Sequence, residues 1–196
     1  REWLQHSEST DRLRTLHYIA IEKYPLSPEA IYQLLSDDLS LKPFLDELLR
    51  VYPPAVATTH IRRLFDGRVV IHFKFMDVSE ALNSAALRVD AWYLDGFSPA
   101  KNPDMWSPPL FEKIAANSHA GTTCSTYTAA GSVKRNLQAA GFDVSKVSGY
   151  GKKREMLVAS MSVNKTDDSS PLLRGFKQRP WFRQPEKHDN QLKHAT

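Results

Sequence analysis

The sequence has a single cysteine, Cys124, so a disulfide framework within the chain is impossible and a cysteine-rich metal site is excluded. A reducing compartment, the cytoplasm, is the simplest expectation. Cys124 lies in an apolar and hydroxyl-rich run over residues 121–127, with no base beside it in sequence. This setting favours a buried thiol over a nucleophile. No His/Cys/Asp cluster suggests a metal site, and we expect none.

Long hydrophobic runs are also lacking. No apolar run approaches the roughly 20 residues needed to span a bilayer. Residues 1–10 are polar and have no signal-peptide pattern. The length of 196 residues, 41% of them hydrophobic, suits one α/β domain with a tail. We therefore expect no membrane association, and we expect a monomer.

Positive charge is in excess only at the C-terminal end. The net charge is +4, and the six Lys and Arg residues from Arg174 onward, against Glu186 and Asp189, account for all of it. The strand and helix patterns also end near Ser162, where Asn, Lys, Thr, Asp, Ser and Pro take over. The sequence predicts a folded domain over residues 1–162 and a basic, flexible linker over residues 163–196.

Strand-like and helical segments alternate along the domain. This order predicts an α/β fold with a mostly parallel sheet and helices on both faces. Predicted helices start at Ser27-Pro28 and Ser107-Pro108, by their N-cap and proline signals. The other predicted helices cover residues 41–51 and 128–140, and Gly141 closes the latter. The predicted strands cover residues 16–22, 68–75, 89–94, 121–127, 142–147 and 155–161.

Three acidic residues, Glu22, Asp77 and Asp95, stand at or just after predicted strand ends. Ligands of open α/β sheets bind outside the carboxyl ends of the strands. Glu22 suits the two hydroxyl donors of a ribose, in a nicotinamide cofactor or in S-adenosylmethionine. Asp77 suits an adenine amino group. Each carboxylate could also be a helix cap or a solvated loop residue.

The segment DGFSPAKNPDMW, residues 95–106, directly follows a hydrophobic strand. Gly96 and Pro99 force an irregular backbone there. Phe97 and Trp106 offer aromatic surfaces for stacking or cation–π contacts. Asp95 is placed to orient or deprotonate an amine. The alternative is a proline-rich connection whose aromatic rings pack on the core.

A basic run, Lys152, Lys153 and Arg154, follows Tyr150 between two glycines. Such a run can contact phosphates while the tyrosine stacks on a base. A solvated surface is the more common explanation of such a run. Two further basic residues add to the possible patch: Lys134 and Arg135.

Several of these stretches resemble one family closely. LHYIAIEKYPLS, RVVIHFKFMD, VDAWYLDGFSPAKNPDMW, STYTAAGSVKRNLQAAGF and GYGKKREML are similar to the methyltransferase half of the bifunctional MnmC tRNA enzymes. The resemblance covers residues 16–158 and extends weakly to residues 179–182. It implies a Rossmann-like fold and methyl transfer from S-adenosylmethionine to the primary amine of 5-aminomethyl-2-thiouridine in tRNA.

The resemblance also implies residue roles. Glu22 would hold the cofactor's ribose, Asp77 would lie near its adenine, and Asp95, partly dehydrated, would face the reacting amine. Gly96 and Phe97 would adjoin the cofactor as well. The remaining residues would contact the substrate or tRNA: Phe97, Pro99, Lys101, Asn102, Trp106, Lys134, Arg135, Tyr150, Lys152, Lys153 and Arg154.

The sequence departs from the family in several ways, including the mild replacements at Tyr93 and Ser98. The family's glycine-rich cofactor loop precedes LHYIAIE, whereas residues 1–15 contain no glycine. We therefore expect that the first strand and this loop are missing, and that these residues alone bind S-adenosylmethionine weakly. Met76 also replaces a family glycine. FAD would belong to an oxidoreductase domain downstream of this chain. Two alternatives remain open: a nicotinamide-dependent oxidoreductase and an inactive tRNA-binding fragment.

Overall fold

The computed structural model describes residues 15–83, 87–149 and 154–162. Strands and helices alternate along most of it, as the sequence predicts. The elements are β1 (Leu16–Ile21), α1 (Pro28–Leu35), α2 (Lys42–Val51), β2 (Thr59–Leu64), β3 (Val69–Lys74), α3 (Val78–Asn83), β4 (Val89–Leu94), a 3₁₀ turn (Pro103–Trp106), α4 (Pro108–Ala116), β5 (Ser118–Thr126), α5 (Gly131–Ala139), β6 (Phe142–Ser148) and β7 (Glu155–Met161). None of the described helices is long and apolar enough to cross a bilayer.

The strands of the described ranges form two sheets, with the orders β1-β3-β2 and β4-β5-β7-β6. The pairs β1-β3 and β4-β5 are parallel, whereas β2-β3, β5-β7 and β6-β7 are antiparallel. The described strands are therefore more antiparallel than the predicted mostly parallel sheet. The physical reason is loop length, since the short connections β2-β3 and β6-β7 leave no room for the crossover that a parallel pair needs.

Sequence reasoning missed β2 and α3. A turn joins β2 to β3, and Phe65, Asp66 and Gly67 all adopt positive φ angles of 51°, 54° and 81°. The dipeptide Asp66-Gly67 is a hairpin signal that sequence reasoning could have used. The alternation of THIRRL is obscured by two arginines.

Helices cover β3 on both faces. Phe73 and Lys74 are successive residues of β3, so their side chains point to opposite faces. The Phe73 ring lies 5.3 Å from the ring of Tyr52, just after α2. Lys74 Nζ donates to the carbonyl oxygen of Ala81 in α3 at 3.1 Å. Helices on both faces are thus confirmed for this sheet.

The main core lies between the second sheet and helices α3, α4 and α5. Its buried side chains come from every one of these helices, from the 3₁₀ turn and from β5, β6 and β7: Leu82, Trp106, Leu110, Phe111, Ile114, Cys124, Val133, Leu137, Phe142, Leu157 and Ala159. Burial raises the pKa of the Cys124 thiol to about 12. The prediction of a buried, unreactive thiol is confirmed. Tyr93 of β4 points to the face of the second sheet that lies opposite this core, and it is 71% exposed.

Two predicted helix caps are confirmed. The Ser27 hydroxyl oxygen accepts a hydrogen bond from the Ala30 backbone N–H at 3.2 Å, at the start of α1. Gly141 follows α5 with a φ of 93°, and its N–H donates to Gln138 O at 3.0 Å. Glycine is favoured there because a side chain would be strained in this conformation.

A pair of histidines on β1 and β3 predicts that the protein becomes less stable in acid. His17 Nδ1 and His72 Nε2 lie 3.2 Å apart. Burial, then His17 and Lys74, lower the pKa of His72 below its usual 6.5. A lowered folded-state pKa means that protonation favours unfolding. The stability is therefore complete above about pH 6.5 and is lost as the pH falls through the lower, folded-state pKa.

Urea unfolding between about pH 7.5 and pH 5 checks this expectation. His72→Gln should flatten the decline of the unfolding free energy over that range. Ile61→Ala, opposite His72 on β2, is the control. It should lower stability at every pH and keep the slope. An unchanged slope in His72→Gln would assign the acid sensitivity to other groups.

Candidate functional site

The loops after β1 and β3 meet at the carboxyl edge of the first sheet. Lys23 Nζ lies 3.4 Å from Asp77 Oδ2. Glu22 is exposed, and its Oε1 accepts a hydrogen bond from the Tyr24 N–H at 2.8 Å. Among the described residues none forms a hydrogen bond with the second carboxylate oxygen of Glu22, which leaves it available for a ligand. The structure thus brings together two of the three acidic residues that sequence reasoning selected.

Asp77 also has a structural task. Its Oδ1 accepts from the Ser79 N–H at 2.9 Å, and its backbone oxygen accepts from the Ala81 N–H, also at 2.9 Å. These contacts cap the N-terminus of α3. The helix-cap alternative therefore applies to Asp77, and a ligand there would share its carboxylate with the cap and with Lys23.

Asp95 follows β4 and lies within electrostatic reach of β1. Burial, then the negative charge of Asp95, then Tyr93, raise the pKa of the Tyr18 hydroxyl on β1. The Asp95 side chain itself is exposed. The expectation that Asp95 is partly dehydrated when it meets the amine stays a prediction. Any dehydration must come from a ligand that covers it.

The loop after Asp95 is tightly packed at its start. A Cβ placed on Gly96 would lie 3.1 Å from Met105 Cε and 3.7 Å from Trp106 Cζ2. Glycine thus allows the chain to pass close to the 3₁₀ turn. Trp106 is 6% exposed and its indole N–H donates to the Phe97 carbonyl oxygen at 2.7 Å. The predicted stacking role of Trp106 is wrong, because its ring is buried and braces the loop.

The rest of the loop turns around Ser98. The backbone N–H groups of Lys101 and Asn102 both donate to Ser98 O, at 2.8 and 3.0 Å. Lys101 is exposed, whereas Pro99 and Asn102 are half-buried. The side chain of Phe97 is 75% exposed to solvent. These four predicted residues belong to the loop after Asp95, but they are not among the residues that line the cleft beside Asp95.

A cleft of about 380 Å³ lies beside Asp95. It is formed where the ends of β4 and β5 meet the start of β7. Its lining residues are Leu94, Asp95, Gly96, Ser98, Trp106, Thr126, Tyr127, Thr128, Ala129, Arg154 and Glu155. Sequence reasoning missed the contribution of residues 126–129, although a hydroxyl-rich stretch directly after a strand was a usable signal.

Thr126 ends β5 and residues 127–130 form a loop, whereas sequence reasoning predicted a helix from Thr128 onward. The Thr126 hydroxyl accepts from the Thr128 N–H at 3.4 Å, and the Thr128 hydroxyl accepts from the Ala130 N–H at 3.2 Å. Threonine side chains thus compete for the backbone donors that a helix would use. Helix α5 therefore begins at Gly131, three residues later than predicted.

Among the predicted basic residues that the structure describes, Arg154 reaches the cleft. It is exposed, and its neighbour Glu155 pairs with Lys146 Nζ at 2.8 Å. Lys134 is half-buried and Arg135 exposed on α5, away from the cleft lining. Three predicted residues lie outside the described part of the chain: Tyr150, Lys152 and Lys153. Within the described ranges, no three His, Cys, Asp or Glu side chains gather as metal ligands.

Comparison with known proteins gives one family. A family model described as S-adenosyl-L-methionine-dependent methyltransferase matches residues 40–162. A relative from Idiomarina loihiensis, named tRNA 5-methylaminomethyl-2-thiouridine biosynthesis bifunctional protein MnmC, is 43% identical over 79% of this chain and 26% of its own length. A protein of the same name from Ectopseudomonas mendocina is 40% identical over 93% of this chain and 26% of its own length.

The fold has a solved counterpart. The crystal structure of MNMC2 from Aquifex aeolicus superposes with a TM-score of 0.60 at 22% identity, covering 83% of this chain and 50% of that one. This likeness concerns the fold alone. The chain spans about a quarter of the length of the curated relatives it matches.

Proposed function

The chain belongs to the S-adenosyl-L-methionine-dependent methyltransferases, and from this premise we propose that it methylates the primary amine of 5-aminomethyl-2-thiouridine in tRNA. The observation that carries the proposal is Asp95 on a cleft that also holds an exposed aromatic ring, Tyr127, and an exposed cation, Arg154. The names of the relatives point to the same modified nucleoside. The partner in this proposal is tRNA, and the protein acts as a cytoplasmic monomer without a metal.

The residues at the first sheet fit the cofactor. Glu22 offers an exposed carboxylate at the carboxyl edge, and its oxygens are acceptors that suit the ribose hydroxyls. Asp77 contributes less, because it caps α3 and pairs with Lys23. When bound, S-adenosyl-L-methionine supplies the methyl group as an electrophile. The family match to a methyltransferase model leaves no observation that favours the nicotinamide-dependent alternative.

Asp95 prepares the substrate for transfer. An alkylamine is mostly protonated near neutral pH, so its nitrogen lone pair is blocked. The Asp95 carboxylate attracts the ammonium group, accepts its proton and aims the nitrogen. Since Asp95 is exposed in the protein alone, the arriving nucleoside must exclude water from it. Positioning of this kind contributes up to about 7–11 kcal/mol in ideal cases.

FAD concerns a different part of the relatives. Both are named bifunctional, and this chain aligns with about a quarter of each. In our proposal FAD serves an oxidoreductase domain beyond the aligned region, which provides the amine that Asp95 faces.

Methyl transfer to defined tRNAs tests the proposed function. The full gene product is incubated with methyl-labelled S-adenosyl-L-methionine and tRNA that carries 5-aminomethyl-2-thiouridine at the wobble position. We expect labelled 5-methylaminomethyl-2-thiouridine after digestion and nucleoside chromatography. Matched tRNA with unmodified 2-thiouridine should remain unlabelled. Equal labelling of both tRNAs, or of neither, would refute the assignment.

Glu22→Ala should weaken cofactor binding by roughly 1.5–3 kcal/mol, which is the effect of losing a charged hydrogen-bond acceptor. Isothermal calorimetry of the full gene product with S-adenosyl-L-methionine measures it. Glu112→Ala, an exposed carboxylate on α4, is the control and should bind normally. If Glu22→Ala also binds normally, Glu22 lies outside the cofactor site.

A further inference from the structure

Tyr127 is an exposed aromatic residue beside the reacting carboxylate. Its side chain is 59% exposed, and it lines the same cleft as Asp95. Leu94 and Thr126 are paired in the parallel ladder of β4 and β5. Asp95 and Tyr127 directly follow the ends of these two strands. Continuation of this register places them side by side on one face.

The backbone beneath Tyr127 is fixed. Thr126 is 4% exposed and is paired with Leu94 on one side and with Leu157 on the other. The Thr126 hydroxyl also accepts from the Thr128 N–H. The strands on either side of Thr126 therefore fix the backbone at Tyr127, while the Tyr127 ring is exposed to solvent. A ring on a fixed backbone loses little conformational freedom when a ligand covers it.

The chemistry around this ring points to an unpaired nucleobase. An aromatic face stacks on any base, which contributes about 1–3 kcal/mol per base. Arg154 on the same cleft supplies a cation for a neighbouring phosphate. A cleft of about 380 Å³ accommodates one base and its substituent rather than a duplex. A base inside a helical stack has no free face, so the target base must be extruded or lie in a loop.

We propose that Tyr127 is the stacking platform for the target pyrimidine and that it holds the base so that its 5-substituent points at Asp95. This inference rests on the proposed function and specifies how its substrate is recognised. Tyr127 is a positioning residue, whereas Asp95 is the acid–base group. Phe97, with its exposed ring two residues beyond Asp95, is the rival platform.

The test compares two RNA hairpins with the anticodon-loop sequence, one with uridine and one with an abasic nucleotide at the wobble position. Fluorescence anisotropy measures their affinity for the full 196-residue chain. The wild type should prefer the uridine hairpin by roughly tenfold. Tyr127→Leu should abolish this preference, and Tyr127→Phe should keep it. Tyr32→Leu, which removes an exposed ring on α1, should behave like the wild type.

If Tyr127→Leu acts only through the structure, it should weaken the binding of both hairpins equally and leave the ratio of their affinities intact. That result would overturn the proposal. A wild-type protein that binds the uridine and abasic hairpins equally well would also overturn it. A second measurement needs no variant: 5-bromouridine at the wobble position should cross-link to Tyr127 under ultraviolet light, as mapped by mass spectrometry. Cross-linking to Phe97 alone assigns the platform to the rival and overturns our proposal.

The outcomes separate this inference from the proposed function. Methyl transfer to the aminomethyl tRNA without any role of Tyr127 in base preference refutes the stacking platform alone. A Tyr127-dependent base preference in a protein that transfers no methyl group refutes the proposed function alone.

Discussion

Asp95→Asn should reduce methyl transfer to aminomethyl-uridine tRNA by about 10²-fold or more, the usual scale for losing a positioned acid–base group. Asn is nearly isosteric with Asp but cannot accept the ammonium proton. Asp95 is exposed, so the substitution leaves no cavity and no buried unpaired group. The loss should therefore appear in kcat, with the affinity for S-adenosyl-L-methionine and the unfolding free energy nearly unchanged. Single-turnover rates, calorimetry and urea unfolding measure the three quantities.

Two further observations make the Asp95 result specific. Asp90→Asn is a matched control on the same strand, at its opposite end, where the Asp90 side chain is 88% exposed and pairs with His119. It should transfer methyl groups normally. A higher pH should partly restore Asp95→Asn, because solvent then deprotonates the amine. Near-normal turnover of Asp95→Asn would refute the catalytic role, and parallel losses of rate, stability and cofactor affinity would make Asp95 a structural residue.

Trp106→Ala should destabilise the protein by about 3–5 kcal/mol, the usual cost of removing a buried aromatic ring. Trp106 packs in the core with Leu110 and Phe111 of α4, and its indole N–H donates to Phe97 O. Removal of the ring leaves a cavity and also frees the start of the Asp95 loop. Urea unfolding followed by circular dichroism measures the loss.

Trp106→Phe separates the two contributions. It keeps most of the ring and removes the N–H donor, so we expect a smaller loss, about 0.5–1.5 kcal/mol for the hydrogen bond alone. Methyl transfer should still fall in this variant, since Phe97 O loses its donor beside the cleft. If Trp106→Ala proves as stable as the wild type, Trp106 is not the core residue that the structure shows.

Local signals allowed much of the fold to be predicted. Ser27-Pro28, Gly141 and the hydrophobic run VDAWYL each specify their own backbone, and the structure has α1, the end of α5 and β4 at those positions. The predictions failed where side chains competed with the backbone or where charge masked a pattern. Thr126 and Thr128 delay the start of α5, and the arginines of β2 hide its alternation.

The candidate site was only partly predictable, for a related reason. Glu22 and Asp95 follow hydrophobic strands, so their place at the carboxyl edge follows from the sequence order. Trp106 lies in the same informative segment, yet it is buried, because burial depends on what packs against a residue. Tyr127 is part of a recognisable stretch, but Asp95, which lines the same cleft, is distant in sequence.

The sequence by itself determined the family, the positions of most strands and helices, and the strand-end carboxylate Asp95, since these depend on local residue patterns. The tertiary structure alone decided which of these residues share a cleft. Parallel pairing of β4 with β5 brings Asp95 beside Tyr127, and the position of β7 adds Arg154. Packing also buried Trp106 and left Phe97 exposed. These results arise from contacts between distant segments, which no local pattern in the chain encodes.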